Sequence, residues 1–397
     1  MAQSNPSIVI LGGGFGGLYT VLRLSQFPWP QGRPSITLVD QHSRFVFLPL
    51  LYELVTRELE TWEIAPPFSS LLANTSIQFR QDRVERIDLA QQQVALHSGE
   101  TLDYGYLVLA LGGETPLDLV PGAAEYAVPF RSVDDAHRLT ARLSQLETSA
   151  QESIRVVVAG AGPSGVELAC KLADRLGDRG RIRLIDRNDS ILKQSPSFNR
   201  TSAQKALDNR GIWIDLDTAL KQVTADSVVL NYKGQDDTIG ADLVLWTVGN
   251  AIAQPIQDLP VAHTAGGRIP TTATLQLAEY PHIFALGDVA DSVDANQAQV
   301  PATAQAALQQ SSCAAWNIWA LINHRSLLPF RYTHLGEMLT LGTETAALAG
   351  LGVTLDGPLA SVARRLVYLT RMPTLDHQVK VGLNWVVKPF LEALQPK

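Results

Sequence analysis

The chain has 397 residues, 46% hydrophobic and 18% charged, with a mean hydropathy of +0.04 and a formal net charge of −7. That balance excludes a disordered chain and gives no reason to expect a nucleic-acid partner; the length fits two ordinary domains or one fold repeated. Two cysteines, Cys170 and Cys313, exclude a disulfide framework and a Cys₄ iron–sulfur cluster, and without a CxxC spacing a dithiol redox enzyme is not expected.

Residues 1–13 carry no basic segment and no small-residue cleavage site, so no signal peptide is expected. The apolar run Ile8-Val9-Ile10-Leu11 suits a buried parallel strand. It enters Gly12-Gly13-Gly14-Phe15-Gly16-Gly17, then a helical stretch Leu18–Leu24, then a second apolar run ending at Asp40. The pattern recurs. A strand 154–159 leads into Gly160-Ala161-Gly162-Pro163-Ser164-Gly165, a helical stretch 166–176, and a strand 182–185 ending at Asp186. The two turns start 148 residues apart, a domain-scale duplication and not a short solenoid repeat. Later strands end in glycine at Gly112, Gly249 and Gly287, the last followed by Asp288. A Gln/Ala-rich helix is expected over 302–322.

In G-x-G-x-x-G the first glycine permits a tight turn and the second lets a pyrophosphate approach the backbone. The third brings helix and strand together. The pyrophosphate then meets the helix N-terminus, and a carboxylate on the next strand accepts from a ribose hydroxyl. Gly12, Gly14 and Gly17 with Asp40, and Gly160, Gly162 and Gly165 with Asp186, both fit, the acids lying 23 and 21 residues after the last glycine. A single such turn is weak evidence, since many glycine-rich turns bind nothing. Two copies, each between a strand and a helix and each with its acid, point to two dinucleotides and to electron transfer between them.

In this order the motifs resemble the two-dinucleotide-binding flavoproteins. That resemblance implies FAD, held non-covalently, on the first turn, NAD(P)H on the second, and an Asp288 that contacts the ribityl chain. Within that group the chain is most similar to type II NAD(P)H:quinone oxidoreductases. The matching segments are Phe47-Leu48-Pro49-Leu50-Leu51, the run 160–169 with its embedded Glu167, Ala304-Gln305-Ala306-Ala307-Leu308-Gln309-Gln310, and 335–342 with its Leu-Gly-Glu start. Trp316-Asn317-Ile318-Trp319-Ala320 and Leu328-Pro329-Phe330-Arg331 resemble the cyanobacterial and chloroplast branch, whose members reduce prenylated quinones, demethylphylloquinone among them. The resemblance implies an α/β fold of two Rossmann-like domains, the second inserted in the first: 1–115 with 265–325 for FAD, 116–264 for NAD(P)H, and a C-terminal region 326–397. It also places Phe15, Arg44, Val84, Gly112, Gly287 and Asp288 on the flavin side and Arg187 and Gly249 on the nicotinamide side.

The expected reaction is hydride transfer from NAD(P)H to FAD, then two electrons to a prenylated quinone such as demethylphylloquinone or plastoquinone, without proton pumping. Gln305 and Gln309, four apart on one helical face, would donate to a quinone carbonyl and to the flavin, where the plain alternative is a solvated polar face. Glu167 reads as a first-turn helix residue, which the helix dipole alone would justify; the resemblance implies a part in proton supply or in placing the cofactors. Asp186 favours NADH, whereas Arg187 beside it and Arg183 would suit a 2′-phosphate, so the nucleotide stays open. From Leu359 onward the net charge is +4, leaving −11 for the rest. Val362, Leu366 and Leu369, flanked by Arg364, Arg365 and Arg371, form one apolar face; Leu383, Val387, Phe390 and Leu394 repeat it, with Pro389 as a helix breaker. Such faces suit a lipid surface, or a second subunit of a homodimer. The expectation is a peripheral membrane protein on the cytoplasmic or stromal, thylakoid-facing side, with no transmembrane helix and no metal. A soluble reductase of a ferredoxin-like protein and a flavin-bearing NAD(P)H sensor are the rival readings.

Overall fold

The computed structural model describes residues 6–394, the last six of them by backbone only. Residues 1–5, where the leader reading began, and the side chains of Phe390 and Leu394 lie outside the described residues. The chain forms two compact units: 1–45, 66–114 and 250–333 in the first, 46–65, 115–249 and 334–397 in the second. Both are α/β. The division differs from the expected one: residues 250–264 and 326–333 fall in the first unit, and two further segments change place. Residues 46–65 group with the second unit, and so does the C-terminal region, because both pack on that unit's glycine helix.

In the first unit a parallel five-stranded sheet runs in the spatial order Ile283–Ala285, Tyr106–Leu109, Ile8–Leu11, Ile36–Asp40, Gln78–Gln81. Ile8 to Leu11 are all buried, as a strand covered on both faces requires. The Phe15–Gln26 helix follows the first glycine turn and packs on the long Ala304–Ile322 helix. Thr303 caps the latter by accepting from the Ala306 N–H at 3.2 Å.

In the second unit the parallel order is Trp213–Asp215, Gly180–Ile185, Ile154–Ala159, Leu243–Trp246, Ala127–Pro129. Each sheet is therefore built outward in both directions from its glycine strand. The strand order reverses beside that strand in each, which opens a crevice at the strands' carboxyl ends. The second unit adds an antiparallel sheet of Glu337–Thr340, Ala346–Gly350 and Val353–Asp356, then the helices Gly357–Leu369 and Leu375–Leu394.

Two expectations for the tail fail. The last helix runs through Pro389 unbroken; a proline removes one N–H and strains one turn, which a helix this long absorbs. Arg364 does not flank an exposed apolar face, because it is buried at 2% exposure while Val362 and Leu366 are each 57% exposed. The inner stripe of that helix is Ala360, Arg364 and Tyr368, four residues apart, held by charge pairing and ring contacts. Among the described residues no helix is long and apolar enough to cross a membrane.

Candidate functional site

The two glycine turns repeat one geometry. Gly12 (φ +98°) and Gly160 (φ +103°) adopt a conformation that favours glycine. A Cβ on Gly12 would lie 2.2 Å from the Ala110 oxygen, and one on Gly160 would lie 2.7 Å from Thr247 Oγ1, so each seals against the neighbouring strand's end. A Cβ on Gly17 or Gly165 would lie 1.8 Å from the oxygen of Gly12 or Gly160, so the third glycine sets how closely the helix meets the strand. The middle glycines differ from both. A Cβ on Gly14 or Gly162 would meet no heavy atom within 4 Å. These two are also the helix N-caps, with no side-chain cap and no acid in the following turn. Open space at a bare helix N-terminus is a cradle for an anionic phosphate. The residues present therefore fit a dinucleotide in each unit.

Both acids have a duty the sequence did not reveal. Asp40 Oδ2 accepts from the Gly13 N–H at 2.6 Å and Asp186 Oδ2 from the Ala161 N–H at 2.6 Å. Their other oxygens accept from the N–H two residues on, His42 at 2.8 Å and Asn188 at 2.7 Å. Each carboxylate thus ties the glycine loop to its own strand and still has lone pairs for a ribose hydroxyl.

The other expected residues scatter by type. Gly112 (φ +70°), Gly249 (φ +85°) and Gly287 (φ +68°) all need glycine's freedom at strand ends. Asp288 accepts from Asn250 Nδ2 at 3.2 Å. Arg44 is exposed. The Val84 side chain is in the core, which leaves only its backbone for a ligand. Phe15 packs edge-on against Phe45 at 5.3 Å. Arg187 is exposed, with no ion pair among the described residues. Arg183 is spent on Asp215 and lies 5.5 Å over the Trp213 ring, so it is not held in reserve for a phosphate.

Gln305 and Gln309 do share one helix face, and both hold the segment 332–333. Gln305 Oε1 accepts from the Tyr332 hydroxyl at 3.0 Å. Gln309 donates to the Thr333 oxygen at 2.9 Å and accepts from the Thr333 N–H at 3.0 Å. The cysteines are inert: burial pushes Cys170 up to about 12 and Cys313 up to about 11, so neither is a thiolate at neutral pH.

Glu167 is not a first-turn residue. The helix begins at Pro163, which puts Glu167 in its second turn and inside the unit, where the dipole gives it little. Oε1 accepts from the Thr340 N–H at 2.9 Å, and Arg364 Nη2 is 4.0 Å away. The Tyr52 hydroxyl, bonded to Ser164 Oγ at 3.0 Å, also reaches the carboxyl. Burial raises the Glu167 pKa to about 7, against the pull of Arg364.

Around it lies a buried charge network. Arg364 Nη1 bonds Glu53 Oε1 at 2.5 Å, Lys171 Nζ is 3.9 Å from the same oxygen, and Lys171 also pairs with Glu58. Arg365 completes the set on Glu58 at 2.7 Å. Burial opposes ionisation of Glu53, but Arg364 and Lys171 outweigh it and hold its carboxyl below the usual range. A sequence signal for part of this existed: Glu167 and Lys171 are four apart in an otherwise apolar helical run.

Residues 6–311 match the family described as pyridine nucleotide-disulphide oxidoreductase. The chain is 52% identical over 396 residues to a demethylphylloquinone reductase, NdbB, of Synechocystis, covering 98% of each protein. It is 42% identical over 433 residues to an alternative NAD(P)H-ubiquinone oxidoreductase C1 of Arabidopsis thaliana, covering 99% of this chain and 82% of that one. The structure of NDH2 from Plasmodium falciparum in complex with NADH has the same fold at a TM-score of 0.85 and 16% identity, over 97% of this chain and 98% of that one.

Proposed function

The chain belongs to the pyridine nucleotide-disulphide oxidoreductase family, and from that premise we propose that it is a flavin-dependent NAD(P)H:quinone oxidoreductase acting on a prenylated quinone. The observation that carries this is the doubled cradle: in each unit the middle glycine faces open space at an uncapped helix start. The name of the 52%-identical relative supports demethylphylloquinone as the quinone. Each unit is read as a Rossmann-like dinucleotide domain. Gly12, Gly14, Gly17, Asp40, Arg44, Gly112, Gly287, Asp288 and the Val84 backbone would hold FAD. Gly160, Gly162, Gly165, Asp186, Arg187 and Gly249 would hold NAD(P)H. Bound flavin supplies acceptance of a hydride and return of two electrons. The chain's own part is to place the nucleotides, to hold a proton on Glu167, and to present Gln305 and Gln309 towards the quinone. Gln309 keeps one amide N–H for a quinone carbonyl. Burial pushes both thiols up, so the chain offers no reactive thiolate to pass electrons on to a disulfide, which supports a quinone as the acceptor.

Rapid mixing tests this reading. Protein loaded with FAD should bleach on mixing with NADH or NADPH and recolour with a prenylated quinone. Flavin that reduces but reoxidises with no quinone would overturn it in favour of a sensor.

Gly162→Ala should leave the unfolding midpoint unchanged and raise the KM for NAD(P)H about tenfold, since its Cβ meets only the space meant for phosphate. Gly165→Ala should instead cost about 1–3 kcal/mol of stability, read as a lower urea midpoint, because its Cβ strikes backbone 1.8 Å away.

The tail is read as the lipid contact. Leu359, Val362, Leu366, Leu375, Leu383 and Val386 are each more than half exposed on the last two helices, with Lys380 and Lys388 on the second of them and Arg371 in the turn between. Deleting 359–397 would also remove Arg364 and His377 from the interior. Changing Leu359, Val362 and Leu366 to glutamine should free the protein from anionic vesicles in a flotation assay while its FAD content stays constant. Undiminished vesicle binding would remove this face as the anchor.

A further inference from the structure

The Ala304–Ile322 helix carries three glutamines near its start, and Gln310 alone of them is fully inside, at 2% exposure. Its Oε1 accepts from the Gly287 N–H at 2.8 Å. Its Nε2 donates to Ser292 Oγ at 3.3 Å, an oxygen that also accepts from Thr271 Oγ1 at 2.9 Å. Gln309, one residue earlier and therefore about 100° round the helix, is committed to Thr333 and cannot stand in.

What Gln310 grips is the short turn Gly287–Val289, which carries Asp288. Leu286 before it is fixed to the Leu109 oxygen at 3.0 Å as part of the sheet edge. Gly287 is the second residue beyond the strand, it takes a φ of +68°, and its N–H points into the interior. A methionine at 310 would fill nearly the same volume and leave that N–H unpaired. Packing therefore does not require a glutamine here; holding the backbone at Gly287 does.

We propose that Gln310 is a positioning residue for the flavin: by clamping Gly287 and Ser292 on either side of Asp288, it fixes the carboxylate that reaches the ribityl chain. The proposal rests on the reading of the first unit as the FAD site. It places the energetic consequence on binding. Without flavin a three-residue turn can swing until its N–H meets water. With flavin in place Asp288 must hold one position, and an unpaired Gly287 N–H then weighs against the bound state.

The test is titration of apoprotein with FAD, followed by flavin fluorescence quenching, for wild type, Gln310→Met, Gln310→Glu and Ser292→Ala. Gln310→Met should raise the dissociation constant about tenfold with the apoprotein's unfolding midpoint nearly unchanged, a split that a merely structural residue would not produce. Gln310→Glu keeps an acceptor for the Gly287 N–H and should bind FAD much as wild type does. Ser292→Ala should shift the constant the same way as methionine, by less. A dissociation constant within twofold of wild type in Gln310→Met overturns the proposal. So does a Gln310→Glu variant as weak as the methionine one. If Gln310→Met does not fold, unchanged binding in Ser292→Ala overturns it. Wild-type protein that binds no FAD overturns the cofactor reading itself, which separates the two failures.

Discussion

Arg364→Met should cost about 3–5 kcal/mol of stability, seen as a lower urea midpoint, as expected when one partner of a buried ion pair is removed. The cost comes from what is left behind. Glu53 is 1% exposed and would keep no ion-pair partner closer than Lys171, 3.9 Å away, with Arg365 acting from further off. Its Oε2 already lacks a partner among the described residues, and so does Arg364 Nε, so the network is imperfectly satisfied even when complete. For that reason the pair itself contributes little net stability, and an apolar pair of similar volume should do nearly as well. The double variant Arg364→Met, Glu53→Met should recover most of the loss. If the two single costs simply add, the charges are not coupled and the network is not one unit. Removing Arg364 also takes the nearest cation from Glu167, so the carboxyl in the single variant should hold its proton to a higher pH than in wild type.

What the sequence made legible was local. Each glycine turn, its strand and its helix are contiguous, and each acid ends the next strand, so period and spacing were enough. The charge network was not legible because its parts are far apart in the chain: the residues of the Arg364–Glu53 bond are 311 positions apart. Helical periodicity found the apolar stripe of the Gly357–Leu369 helix but could not say which side faced inward. The leucine face was read as available to lipid, and Leu359, Val362 and Leu366 are indeed exposed; what counting apolar residues missed is that the opposite stripe, Ala360, Arg364 and Tyr368, carries a buried arginine. The glutamines show another limit of spacing. The spacing of Gln305 and Gln309 gave a shared face, and the structure gives them a shared target, but the residue gripping the Gly287–Asp288 turn is their neighbour, at a position that periodicity treats as ordinary core. The acids were placed correctly in the chain, yet their bonds to Gly13 and Ala161 depend on loop geometry that spacing alone does not carry.

Glu167→Gln should lower kcat about a hundredfold while leaving FAD affinity unchanged, and its clearest signature should be in pH. Quinone reduction to quinol consumes two protons, so a group that still holds a proton near neutrality is useful, and burial gives Glu167 a pKa of about 7. Wild-type kcat should fall as pH rises through about 7, when the carboxyl loses that proton. The glutamine variant should lack that limb. Stability gives an independent check on the same group. Its folded pKa of about 7 stands above the reference 4.5 of an unfolded chain, so the protonated form is the one folding favours. The stabilisation is complete below pH 4.5 and is lost as pH rises through about 7, by about 3 kcal/mol in all. Urea midpoints of wild type should therefore decline across that window relative to the glutamine variant and run parallel to it above. Glutamine can still accept from the Thr340 N–H, so the comparison isolates the charge and not the lost bond. An unchanged turnover number would remove Glu167 from the chemistry, whereas midpoints that stay parallel from pH 4.5 to 8 would mean that the carboxyl is not buried against its charge at all.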